Sequence, residues 1–110
     1  MHDPVPGALV VVTTLPDEAA GERLASLLVE KRLAACVNIS APLTSIYRWQ
    51  GKIEREREVM LTIKTTAKRY RAIEETIKNS HPYELPEVIA LPITDGSTDY
   101  LAWIETCTKD

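Results

Sequence analysis

The sequence predicts an α+β chain of ferredoxin-like, β-α-β-β-α-β order, with one further helix at its C-terminal end. Three observations predict it. Apolar periodicity switches between strand and helix spacing along the 110 residues. Capping residues follow the first and third strands: Thr14 or Asp17 in one case, Thr66 in the other. Between them, two arms rich in β-branched and aromatic residues meet at Trp49-Gln50-Gly51-Lys52, where Gly51 supplies the positive φ of a tight hairpin turn. This order predicts an antiparallel sheet with two helices on one face, the first and third strands central, and the second and fourth at the edges.

Taken in order, Met1 to Gly7 reads as a disordered tail and 8–110 as a single domain. Ala8 to Thr13 is a β-branched run suited to a strand buried on both faces. A helix follows, with Pro16 in its first turn, Asp17 and Glu18 at its positive end and Leu24, Leu27 and Leu28 as its buried stripe. The first hairpin arm reads Cys36-Val37-Asn38-Ile39, kinks at Ser40-Ala41-Pro42 and resumes at Ser45. The second arm places Glu54, Glu56 and Glu58 on one face and Arg55 and Arg57 on the other, so neither face is core there, and the run reads as cross-strand ion pairing on a ribbon. From Val59 onward, Leu61 and Ile63 return the strand to the core. A second helix, with stripe Tyr70, Ile73 and Ile77, stops before Ser80 because Pro82 follows. Glu87 to Ile93 is the fourth strand, an edge strand on account of Pro92. Ser97 then caps a last helix carrying Tyr100, Leu101, Trp103 and Ile104.

The hairpin is too long for its domain. Fully extended, each arm spans about 50 Å, against a radius of gyration of about 13 Å for a chain of this size. Part of it must project. A projecting ribbon with Tyr47 and Trp49 near its tip reads as an assembly arm, and a sheet face covered only by the last helix points the same way, to an oligomer.

Bulk properties exclude several classes. A net charge of -3 with both signs interspersed offers no basic face for nucleic acid. No apolar run is long enough to insert in a membrane, and the start lacks the features of a signal peptide, which implies a cytoplasmic protein with Cys36 and Cys107 reduced. The four glycines are far apart, so there is no phosphate loop, and no nucleophile-base-orienter set is visible. The chain reads as a binder, not an enzyme.

Several segments resemble the divalent-cation tolerance protein CutA family. They are Leu33 to Ile39, Ser45 to Ile53, Lys64-Thr65-Thr66, His81-Pro82-Tyr83-Glu84-Leu85-Pro86-Glu87 and Tyr100-Leu101-Ala102-Trp103, in family order and spacing. The resemblance implies a cytoplasmic homotrimer, similar in architecture to the PII signalling proteins, with the hairpins pairing between chains. It also implies a role in tolerance of or response to divalent metals, copper above all, with copper or another divalent cation as the ligand. The alternative reading is a PII-like regulatory trimer that senses a small ligand at intersubunit clefts.

Members with a described copper site use a Cys on the first strand and two consecutive His before Pro-Tyr; those positions here are Thr13, Ser80 and His81. His81 is thus the metal candidate that remains, or else a loop histidine bonded locally ahead of Pro82. Cys36 can join it only if the fold brings the two together. Glu58, Lys64, Tyr83, Glu87 and Trp103 are candidates to line an intersubunit cleft; the alternative is an interface network of charge pairs and aromatic packing. Tyr47 and Trp49 are the candidate trimer contacts.

Overall fold

A computed structural model of the chain describes residues 7–109. Apart from Gly7, the segment read as a tail lies outside the described residues. The elements run β1 (Ala8–Leu15), α1 (Glu18–Glu30), β2 (Cys36–Ile39), β3 (Leu43–Trp49), β4 (Lys52–Thr66), α2 (Ala67–Ser80), β5 (Ile89–Pro92) and α3 (Thr98–Cys107). Strands lie in the order β2-β4-β1-β5, all antiparallel, with β3 paired to the outer half of β4. The fold is the ferredoxin-like α+β arrangement, and the kink at 40–42 divides the first hairpin arm into β2 and β3.

Alternation along the two central strands decides where the core sits. Val11 and Leu15 of β1 share a face with Val59, Leu61 and Ile63 of β4, and all five are buried against Leu24 and Leu28 of α1 and Ile73 and Ile77 of α2. Helix α1 lies close to the sheet because Gly21 has no side chain: a Cβ there would come within 3.2 Å of Leu61 Cδ1 and Val59 Cγ2. The other sheet face is covered at one end only, where Leu101 and Ile104 of α3 pack with Ala8, Ala35 and Ile93.

Several boundaries differ from the sequence reading. β1 continues to Leu15, which leaves Pro16 outside α1; Asp17 is the cap, its Oδ1 accepting from Ala20 N–H at 2.8 Å. α2 includes Ser80, because Pro82 restricts only the residue before it: His81 is extended, at φ -85° and ψ 137°. Thr66 occupies the cap position of α2 but makes no side-chain capping bond. β5 is limited to Ile89–Pro92 and pairs with β1 alone, as an edge strand.

The ribbon formed by β3 and the outer part of β4 stands away from the core, giving the chain extents of 48 × 29 × 23 Å. Its turn has positive φ at both central residues, Gln50 (50°) and Gly51 (79°), the geometry that matches strand twist in a two-residue hairpin. The expected cross-strand ion pairing is absent among the described residues. Glu54, Arg55, Glu56, Arg57 and Glu58 face Tyr47, Ile46, Ser45, Thr44 and Leu43, none of which carries a charge. Glu58 also departs from the reading of a solvated ribbon, since it is only 7% exposed.

Candidate functional site

Glu58 is buried by a residue far away in sequence. The segment after α2 folds back over the root of the ribbon, and the Tyr83 hydroxyl donates to Glu58 Oε2 at 2.8 Å. His81 holds that segment down. Its Nδ1 accepts from Tyr83 N–H at 3.1 Å, which makes Nε2 the protonated nitrogen, and Nε2–H donates to the Thr14 carbonyl at 2.6 Å. The His81 and Tyr83 rings pack at 4.6 Å between centroids. Burial, followed by the Glu58 carboxylate that accepts its proton, pushes the Tyr83 phenol well above the usual tyrosine range. Desolvation and the carboxylates of Glu56, Glu54 and Glu58 push the Tyr47 phenol up as well.

These residues line a cleft of about 670 Å³ between the ribbon and the 83–87 segment. Glu58, Tyr83, Glu87, Tyr47 and Trp49, all singled out in the sequence, line it together. Lys64 and Trp103 lie elsewhere in the single chain. Lys64 sits on the inner half of β4, where its Nζ donates to Asn38 Oδ1. Trp103 packs with Tyr100 on α3 at 5.4 Å. Glu84, Leu85 and Arg57 also line the cleft. Sequence reasoning read Arg57 as ribbon ion pairing and assigned Glu84 and Leu85 to no site, because only the fold-back after α2 brings 84 and 85 to the ribbon.

The donor set does not fit a copper centre. His81 has both nitrogens committed to hydrogen bonds. Ser80 Oγ donates to the Thr76 carbonyl at 2.6 Å, and the Thr13 hydroxyl is buried without a partner; a neutral hydroxyl is in any case a poor copper ligand. Cys36 does not complete the set. It pairs with Lys64, which pairs with Val10, whereas His81 meets β1 at Thr14. Four residues of strand put about 13 Å between them, too far for one ion to bridge. Among the described residues no three His, Cys, Asp or Glu side chains converge as a metal cage.

The comparisons with known proteins agree with this fold. The CutA1 divalent ion tolerance protein family matches residues 9–107. The divalent-cation tolerance protein CutA of Citrobacter koseri is 45% identical over 105 residues, covering 96% of this chain and 91% of that protein. The crystal structure of CutA1 from Oryza sativa superposes with a TM-score of 0.92 at 42% identity, covering 96% of each chain. The structure of the protein from Archaeoglobus fulgidus, described as the periplasmic divalent cation tolerance protein CutA, gives a TM-score of 0.90 at 35% identity, covering 93% of this chain and 99% of that one. The chain therefore belongs to the CutA divalent-cation tolerance family.

Proposed function

We propose that this protein acts in divalent-cation tolerance as a homotrimer, binding and not catalysing, with copper held weakly. The observation that carries the assembly is the apolar surface that the single chain leaves open. Ile46 and Ile53 on the ribbon are each 63% exposed, and Ile89 and Leu91 on β5 are 50% and 48% exposed. Grouped apolar residues of this kind mark interaction surfaces. The ribbon would lie along a neighbouring subunit, with Tyr47 and Trp49 as its contacts, and the sheet face that α3 leaves uncovered would close against the other copies. Lys64 and Trp103 would approach a cleft only by way of such a neighbour. A cytoplasmic location is supported by the two free cysteines, Cys36 and Cys107. Among the described residues no helix is long and apolar enough to cross a membrane.

Copper binding is proposed to be weak and centred on His81, because the imidazole must give up a hydrogen bond before it can serve as a ligand. Calorimetric titration with Cu(II) of the wild type, His81→Ala and Cys36→Ser tests this. The expected result is weak binding that His81→Ala reduces and Cys36→Ser does not. Tight stoichiometric binding that survives His81→Ala contradicts it. A second reading, a PII-like trimer sensing a small ligand, is favoured by the volume of the ribbon cleft, about 670 Å³, which lies within the range of small-molecule pockets. A metabolite screen by thermal shift separates the two readings, since a specific ligand raises the melting point.

A further inference from the structure

The ribbon carries opposite charge on its two faces. Its register sets Thr44 against Arg57, Ile46 against Arg55 and Arg48 against Ile53, so these side chains share one face. Glu58, Glu56 and Glu54 stand against Leu43, Ser45 and Tyr47 on the other, which ends at Trp49 and Lys52. On the first face Arg48, Arg55 and Arg57 flank Ile46 and Ile53, and all five are exposed. On the second, Glu54, Glu56 and Glu58 flank Tyr47, with Lys52 beside the turn.

Among the described residues neither face is neutralised from within the chain. Arg57 Nη1 donates to the Thr44 hydroxyl at 3.5 Å and Glu58 Oε2 accepts from the Tyr83 phenol, both neutral partners. No residue opposite 54–58 on the ribbon carries a charge. Glu84 and Glu87 extend the acidic side into the ribbon cleft, where Arg57 also reaches; Arg48 and Arg55 stand outside it. Each face thus has an apolar centre flanked by like charges, the make-up of a protein contact whose partner carries the opposite sign.

That arrangement decides how copies of the chain can meet. A two-fold contact lays each face on its own equivalent, arginine on arginine or glutamate on glutamate, and like charges set against each other repel. A head-to-tail contact lays the basic face of one copy on the acidic face of the next, and repeats until the ring closes. We infer that, in the trimer proposed above and resting on that reading, Arg48 and Arg55 of each copy pair with Glu54 and Glu56 of the next. Ile46 and Ile53 then cover Tyr47 and Trp49. Because Glu56 lines the ribbon cleft, each cleft gains its counter-charge from a neighbouring copy and is complete only in the assembly.

Charge reversal of one face and of both tests this, with the mass of the full chain read by native mass spectrometry at micromolar concentration. Wild type is expected at the mass of three chains. Arg48→Glu with Arg55→Glu makes both faces acidic, and Glu54→Lys with Glu56→Lys makes both basic. Each pair is expected at the mass of one chain, with unchanged helix content by circular dichroism. All four changes together invert the faces and are expected to restore the mass of three chains. Refolded in a mixture with wild type, the inverted chain is expected to form trimers only with itself, since like faces then meet across every mixed contact. Arg48→Gln with Arg55→Gln only removes charge, so it reports even where a reversal disturbs folding; its trimer is expected to dissociate at about tenfold higher concentration than wild type. One-face variants that stay trimeric at every dilution, unchanged dissociation of the glutamine variant, an inverted chain that folds yet stays single, or mixed trimers in statistical proportion overturn the inference and leave the trimer standing. Wild type at the mass of one chain overturns the trimer and the inference with it, and wild type at the mass of two chains overturns the head-to-tail contact.

Discussion

The Tyr83 hydroxyl donates to the Glu58 carboxylate at 2.8 Å, and through this bond the segment after α2 closes over the root of the ribbon. Glu58 is nearly buried there, and no lysine or arginine pairs with it among the described residues. Tyr83→Phe keeps the ring and its packing on His81 but leaves the carboxylate without its donor. The expected cost is about 1–3 kcal/mol, read from urea denaturation at fixed protein concentration. Glu58→Gln keeps an acceptor for the phenol and removes the buried charge, so it should cost less. If Tyr83→Phe proves as stable as the wild type, the bond does not hold the segment.

The same contact predicts how the protein responds to alkali. All four tyrosines, Tyr47, Tyr70, Tyr83 and Tyr100, have phenols raised above their ordinary value of 10.0, Tyr83 the furthest. For Tyr83 the leading cause is burial, then Glu58; for Tyr70 it is the hydrogen bond to Glu74. A raised folded value means that the unfolded chain loses its proton first. This stabilisation is complete below pH 10.0 and falls as the pH rises from there through the folded value. Phenolate absorbance of the native protein should therefore lag behind that of the urea-unfolded chain, and Tyr83→Phe should remove the latest-titrating component. Coincident curves would contradict this.

Gly21 allows α1 its close approach to the sheet. A Cβ would meet Leu61 and Val59 at 3.2 Å, and a branched side chain has no room to turn away. Gly21→Val should cost about 1–3 kcal/mol through overpacking. Thermal melting checks it, and an unchanged melting temperature would show that α1 shifts freely on the sheet.

Much of this architecture was legible in the sequence, because the core is built from local periodicity. Leu24 and Leu28, Val59, Leu61 and Ile63, Ile73 and Ile77, and Leu101 and Ile104 stand out by spacing alone and are buried, whereas Leu27, read as part of the α1 stripe, is only partly buried at its edge. What was not legible depends on contacts between distant residues. The alternation of 54–58 reads as solvated ribbon, yet Glu58 is covered by Tyr83, which lies 25 residues further along. Helix α1 ends without the glycine that usually signals a stop. Arg32 takes φ 60° itself, the Arg32 and Leu33 N–H groups donate to the Val29 and Leu28 carbonyls, and the Arg32 guanidinium donates to the Thr106 and Lys109 carbonyls at the end of α3. The tertiary anchor offsets the cost of a left-handed arginine, and no local pattern announces it.

Trp49 closes the ribbon beside the turn and lines the cleft while remaining half-exposed in the single chain. Trp49→Ala should weaken assembly and leave the helices intact, since no helix packs on the ribbon tip. Circular dichroism should show unchanged helix content, and the melting temperature should become more dependent on protein concentration. A variant that resists heat as the wild type does at every dilution would remove Trp49 from the interface.

Assembly is the central proposal, because the apolar residues Ile46 and Ile53 of the projecting ribbon and the open sheet face are left uncovered in a lone subunit. Light scattering coupled to size exclusion, at micromolar protein concentration, tests that directly. The predicted result is a single species with the mass of three chains. A species with the mass of one chain would contradict the account.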